Sequence, residues 1–261
     1  MKKMMIAAVA AATAFAATLS SGAAAADQKE LRMACESTYA PFVFFDTDTR
    51  QPVGFEIDLL NYVAKEMGRK LVVTNMGFDA IIPSLLSGIN DIGASSFTIT
   101  EERAKRVLFS KPYYISGLSI LVRAEDKDKI KDVKDLENCT ICAQIGTSGS
   151  MRADEVPGAK VRNFNTINEA YLELGNRGCA AVIGDRPVTA YFLASRPQVA
   201  KNFYHLPVAL NSESFGFPVS KKNTALMKEV DAALDKARAS GEFTKIYVKW
   251  FGEEPSAELL K

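Results

Sequence analysis

The sequence predicts an α/β protein built as two similar lobes on a hinge. Short apolar runs alternate with stretches of helical periodicity, the pattern of a mostly parallel sheet flanked by helices. That pattern occurs once in each half of the chain. Two extended apolar segments, 112–122 and 206–219, carry Gly or Ser and suit crossings between the lobes.

In the first half, residues 31–35 read as a strand. Residues 56–67 read as a helix, with Ile57, Leu60, Val63, Ala64 and Met67 on one face and Gly68 ending it. A strand at 70–74, a helix at 79–87 stopped by Gly88, a strand at 89–94 and a short helix at 101–106 follow. In the second half, strands are expected at 140–144, 161–164 and 180–183, with helices at 150–156 and 167–175. The helix-Gly-strand run 86–92 has an echo at 174–182; the first leads into Ser95-Ser96 and the second into Gly184-Asp185. Any two αβ units share that outline, so the echo alone does not establish a repeat. Helices at 225–240 and 243–250 are expected to return to the first lobe. The expected division is 27–114 with 214–261 for lobe 1 and 115–213 for lobe 2.

The first 26 residues read as an export signal. Lys2 and Lys3 precede an uncharged apolar run, 4–19, and Ala24 and Ala26 fit a small-residue cleavage site. A membrane anchor is the alternative, but the run is shorter than a full span. Periplasmic localisation is expected. Removing Lys2 and Lys3 from 32 basic residues leaves 30 against 31 acidic ones. That balance argues against nucleic acid as a partner, which needs a basic stripe. A single histidine, His205, disfavours His-rich metal sites and a Ser-His-Asp hydrolase. No metal or cofactor is expected, and a monomer is. In an oxidising compartment Cys35, Cys139, Cys142 and Cys179 suggest one disulfide. Cys142–Cys179 is expected because both lie in strand-like runs; Cys139–Cys179 competes.

Gly54-Phe55-Glu56-Ile57-Asp58-Leu59, followed by Val63-Ala64 and Met67, resembles the signature of the family 3 bacterial solute-binding proteins of amino-acid ABC transporters. The blocks 80–91, 98–103, 109–113 and 144–147 match further family blocks in order, and the resemblance spans 27–252. It implies a two-lobed periplasmic-binding-protein fold of type II. It also implies that one L-amino acid is held between the lobes and delivered to an inner-membrane ABC permease. In pocket style the chain resembles histidine-binding and lysine/arginine/ornithine-binding proteins.

The chemistry of the matching positions agrees. Arg103 offers a planar fork for a carboxylate, with a surface ion pair to Glu101 or Glu102 as its alternative. Asp185 ends a strand at the cleft and would accept from a ligand ammonium, with a helix N-cap as its alternative. The Thr98 hydroxyl and Ser96 carbonyl would complete that cage beside Ser95. Amides at Thr147 and Ser148 would grip the carboxylate from lobe 2, unless these residues only cap a helix. By resemblance, Tyr39 and Phe78 flank the ligand side chain and Glu36 meets its far end, where family members often carry Asp. Gln144 adds a neutral polar group. An acid with two aromatic faces suits a cationic side chain, so Arg or Lys is expected ahead of His and Gln. The alternatives are a cyclohexadienyl-dehydratase-like enzyme, with Glu36 as its spare carboxyl, and a sensor domain working with a partner protein.

Overall fold

The computed structural model describes residues 29–261; the expected leader, 1–26, lies outside them. The chain opens with β1 (Glu30–Cys35), β2 (Thr38–Tyr39), β3 (Val43–Phe45), β4 (Pro52–Val53) and α1 (Phe55–Glu66). Next come β5 (Lys70–Asn75), α2 (Phe78–Ser87), β6 (Ile92–Gly93), α3 (Glu101–Ala104) and β7 (Val107–Phe109). The periodicity of α1 does what it promised, burying Ile57, Leu60, Val63 and Ala64. Helix α2 ends at Gly88 with φ 77°, a left-handed position that glycine adopts without strain.

The strand expected at 89–94 is trimmed to two residues. After Gly88, the Ile89 and Asn90 N–H groups both turn back to the Ser84 carbonyl. The Asp91 carboxylate meanwhile holds the Arg32 N–H at 2.9 Å and its guanidinium at 2.7 Å. Residues 89–91 thus form a helix-closing turn that apolar content alone does not reveal.

The chain crosses on β8 (Tyr114–Ser116) into β9 (Leu118–Arg123). The second lobe then runs β10 (Thr140–Gln144), α4 (Ser148–Asp154), β11 (Lys160–Phe164), α5 (Ile167–Gly175), β12 (Ala181–Asp185), α6 (Arg186–Ala194), α7 (Pro197–Ala200) and β13 (Phe203–His205). It returns through β14 (Glu213–Phe215) to β15 (Pro218–Ser220), α8 (Thr224–Ser240) and α9 (Glu242–Phe251).

Two five-stranded sheets result, ordered β5-β1-β6-β15-β7 and β11-β10-β12-β9-β13. Each has a parallel trio followed by an antiparallel strand, β15 or β9, which enters directly after a crossing. The echo read between the halves is therefore matched in topology. The crossings β8 and β14 pair antiparallel, with Glu213 opposite Ser116 and Phe215 opposite Tyr114. Their aromatic ends are packed into lobe 1: Tyr114 stacks on Phe215 at 5.7 Å, and Phe42 meets Tyr114 at 5.0 Å. From α9, Phe251 lies 4.8 Å from Tyr114, and Trp250 donates to Asp58 on α1 at 2.7 Å. Among the described residues no helix is long and apolar enough to cross a membrane.

The expected Cys142–Cys179 bond is not formed, and all four cysteines are free. Cys142 and Cys179 are nonetheless neighbours, and their interaction pulls the Cys142 thiol pKa down and pushes that of Cys179 up. The competing pair is also absent; the Cys139 thiol faces the Asp135 carbonyl at 3.9 Å.

Candidate functional site

The parallel strands of both sheets end at the seam between the lobes, where α/β sheets place their ligands. Glu36 follows β1, Ser95-Ser96 follows β6, Gln144 ends β10 and Asp185 ends β12. All five are buried.

Asp185 immediately precedes α6, but its side chain makes no cap bond. It receives the Tyr39 hydroxyl from the other lobe instead, and its Oδ1 has no partner. Burial pushes its carboxyl up to about 7 from 3.8, against the pull of Tyr39 and Arg103. Glu36 accepts from the Thr38 N–H at 3.0 Å, the Thr38 hydroxyl at 3.0 Å and, across the seam, the Gln144 amide at 3.3 Å. Burial also raises its pKa. The Gln144 Oε1 and Ser96 Oγ are further buried atoms without partners.

The Ser95-Ser96 loop is strained, with φ values of 94° and 55° in the left-handed region, which typically cost about 1–3 kcal/mol each outside glycine. Glu56 offsets that strain. Its two carboxylate oxygens accept the Ser95 and Ser96 N–H groups at 2.7 Å each, and it also receives the Tyr113 hydroxyl. Full burial pushes Glu56 up to about 7. The Ser95 Oγ in turn accepts the Glu36 N–H at 2.8 Å, tying the two strand ends together.

Arg103 is buried on α3, and Thr100 caps that helix by accepting the Arg103 N–H at 3.2 Å. The surface pair with Glu101 or Glu102 does not form. The guanidinium donates to the Thr98 carbonyl and, across the seam, to the Gly146 carbonyl, each at 2.9 Å. It lies 5.2 Å over Phe97 and 5.5 Å over Phe78, which stack on each other at 4.4 Å. Among the described residues no carboxylate comes within ion-pairing distance of it. Burial lowers its pKa.

Three of the expected positions already have neighbours within the protein. The Thr98 hydroxyl is engaged at 2.8 Å by Glu213 on β14, which also receives the Ser148 hydroxyl at 2.9 Å. The Thr147 side chain caps α4, accepting the Ser150 N–H at 3.2 Å and donating to the Gln144 carbonyl at 2.7 Å. Phe78, the aromatic expected beside the ligand side chain, is stacked on one face by Phe97.

All eleven sequence-derived positions thus gather along one seam, bridged at Tyr39–Asp185, Glu36–Gln144, Arg103–Gly146 and Thr98–Ser148. The lobes are closed. Two grooves lie outside this cluster: one of about 740 Å³ beside Tyr171 and Phe203, and one of about 630 Å³ between Phe44 and Tyr191. Neither includes Arg103 or Asp185.

Sequence reading missed Glu56, Phe97, Tyr113 and Glu213 as parts of this cluster. A signal existed for two of them. Glu56 shares a helix face with Leu60 and Val63, an acid on an apolar stripe. Glu213 is the one charged residue in the crossing 206–219. The hydroxyl of Tyr113 and the ring of Phe97 carried no such mark.

The family model for bacterial extracellular solute-binding proteins, family 3, matches residues 31–253. A probable histidine-binding protein of Neisseria gonorrhoeae is 31% identical over 230 residues, covering 87% of this chain and 84% of its own. The solved arginine-, lysine-, histidine-binding protein ArtJ of Geobacillus stearothermophilus superposes with a TM-score of 0.82 at 34% identity, covering 89% of this chain and 99% of its own. An ancestral amino acid-binding protein, described as a precursor of cyclohexadienyl dehydratase, reaches 0.77 at 36% identity, covering 85% and 95%. With the closed two-lobed architecture, these matches mean that the chain belongs to the bacterial extracellular solute-binding proteins, family 3.

Proposed function

We propose that this protein binds a polar or basic L-amino acid between its lobes and presents it to an inner-membrane ABC permease. One observation carries the reading. A buried guanidinium without an anion and a buried carboxylate with an unpartnered oxygen lie in the same seam. A zwitterion supplies both missing charges: its carboxylate pairs with Arg103 and its ammonium with Asp185. Contacts to both lobes then stabilise the closed state over the open one. The protein performs no covalent chemistry. Glu36, the carboxyl a dehydratase would need, is already held by Thr38 and Gln144.

The ligand is arginine or lysine ahead of histidine and glutamine. Glu36 supplies negative charge beside Tyr39, and relatives include a probable histidine-binding protein and an arginine-, lysine-, histidine-binding protein. A thermal-shift screen over the common amino acids tests the ligand class, because a ligand that binds only the native state raises the melting temperature. Glu36→Gln tests the side-chain preference. Calorimetry is expected to show arginine and lysine weakened about tenfold or more relative to glutamine, since a buried cation loses its partner. Equal weakening of all three ligands overturns the basic preference.

The proposal extends to export with removal of residues 1–26, a periplasmic location and a monomeric state. In that oxidising compartment the neighbouring Cys142 and Cys179 thiols close into a disulfide. Peptide mapping without reduction is expected to recover them as one linked pair; two free thiols would refute the bond.

A further inference from the structure

We propose that Glu213, on the hinge strand β14, sets the hydrogen-bond polarity of the ligand site and so selects for a ligand carrying an α-ammonium. The inference rests on the amino-acid reading above and assigns a role to a residue outside the expected site.

The argument is one of counting protons. The Glu213 Oε2 lies 2.8 Å from the Thr98 hydroxyl of lobe 1 and 2.9 Å from the Ser148 hydroxyl of lobe 2. An ionised carboxylate only accepts, and each hydroxyl has one proton. Both protons therefore point at Glu213. The two hydroxyl oxygens sit 3.2 Å apart with only lone pairs left to offer. Lone pairs accept from an ammonium and repel a carboxylate. The donors remaining for the ligand carboxylate include the Arg103 guanidinium, the unpartnered Ser96 hydroxyl and backbone N–H groups.

Glu213 is itself fixed. Its Oε1 accepts from the Asn211 amide at 2.9 Å, and the Asn211 Oδ1 accepts the Leu118 N–H of β9 at 2.8 Å. Its strand pairs with the other crossing, Glu213 opposite Ser116. The carboxylate thus stands on the hinge, where hydroxyls from both lobes converge in the closed form. Its charge also reaches the two main ligand groups, opposing ionisation of Asp185 and favouring the charged form of Arg103.

The test compares an amino acid with its deamino analogue. Calorimetry is run on the wild type, Glu213→Gln and Glu213→Asp with L-arginine and with 5-guanidinopentanoate. The pair L-glutamine and 4-carbamoylbutanoate replaces them if arginine does not bind. The wild type is expected to prefer the amino acid by about 100-fold or more. Glutamine at 213 keeps the shape but presents an amide donor, which turns a hydroxyl proton toward the ligand. The preference is then expected to shrink about tenfold, the size of one hydrogen bond. Glu213→Asp keeps an acceptor and should retain most of it. If Glu213→Gln does not fold, Ser148→Ala gives the same reading, because losing an acceptor hydroxyl narrows the ratio. A purely structural hinge role weakens both ligands alike, and an unchanged ratio overturns the proposal while the amino-acid reading stands. A wild type that binds neither amino acid overturns both.

Discussion

Arg103→Ala is expected to abolish measurable amino-acid binding while leaving a folded protein. Removing one partner of a buried, hydrogen-bonded charge pair costs about 2–5 kcal/mol, roughly 30-fold to several thousand-fold in affinity. The fold should tolerate the change because, among the described residues, the guanidinium has no anionic partner. What the variant loses there is two hydrogen bonds, to the carbonyls of Thr98 and Gly146, and a face over Phe97 and Phe78. Deleting a buried, unpaired cation also removes its desolvation cost. Arg103→Lys should bind only weakly, since a point charge cannot reproduce a bidentate fork. Calorimetry on a variant with a cooperative melting transition is the check. Wild-type affinity in Arg103→Ala would show that the ligand carboxylate sits elsewhere.

The second large effect is expected from Asp185→Asn. The substitution is isosteric and keeps an oxygen for the Tyr39 hydroxyl, so the contact between lobes survives. It removes the charge that answers the ligand ammonium. Binding should again weaken by about 2–5 kcal/mol. The ligand-free protein should melt no lower than the wild type, because the carboxyl there is buried with one oxygen unpartnered. These two readouts move in different directions, which separates a ligand contact from a structural one. A variant that binds as the wild type does but melts lower would make Asp185 a structural residue.

The sequence by itself determined much about this protein, because its information there is local. Helical periodicity placed α1 and α2, and glycine after an apolar stripe placed their ends at Met67-Gly68 and Gly88. Two extended apolar crossings announced a hinge, and strand ends followed by Ser, Gln or Asp marked the seam between lobes. Local pattern also misjudged the strand at 89–94, where a helix-closing turn consumes the first three residues. It passed over β13, three residues with too short a run to show any period.

What only the tertiary structure decided is how the polar groups are partnered. Asp185 could cap α6 or face the cleft, and both readings use the same neighbours in sequence. The choice is made by Tyr39, 146 positions away. Arg103 could pair with Glu101 or Glu102, but the seam draws it to Gly146 on the other lobe. Glu56 and Glu213 take their meaning from backbone N–H groups and hydroxyls 39 to 115 positions distant. A side chain's apolar environment follows from its position in a periodic element, whereas a hydrogen bond needs a specific partner within about 3 Å. That partner is delivered by the packing of two lobes, which no local pattern encodes.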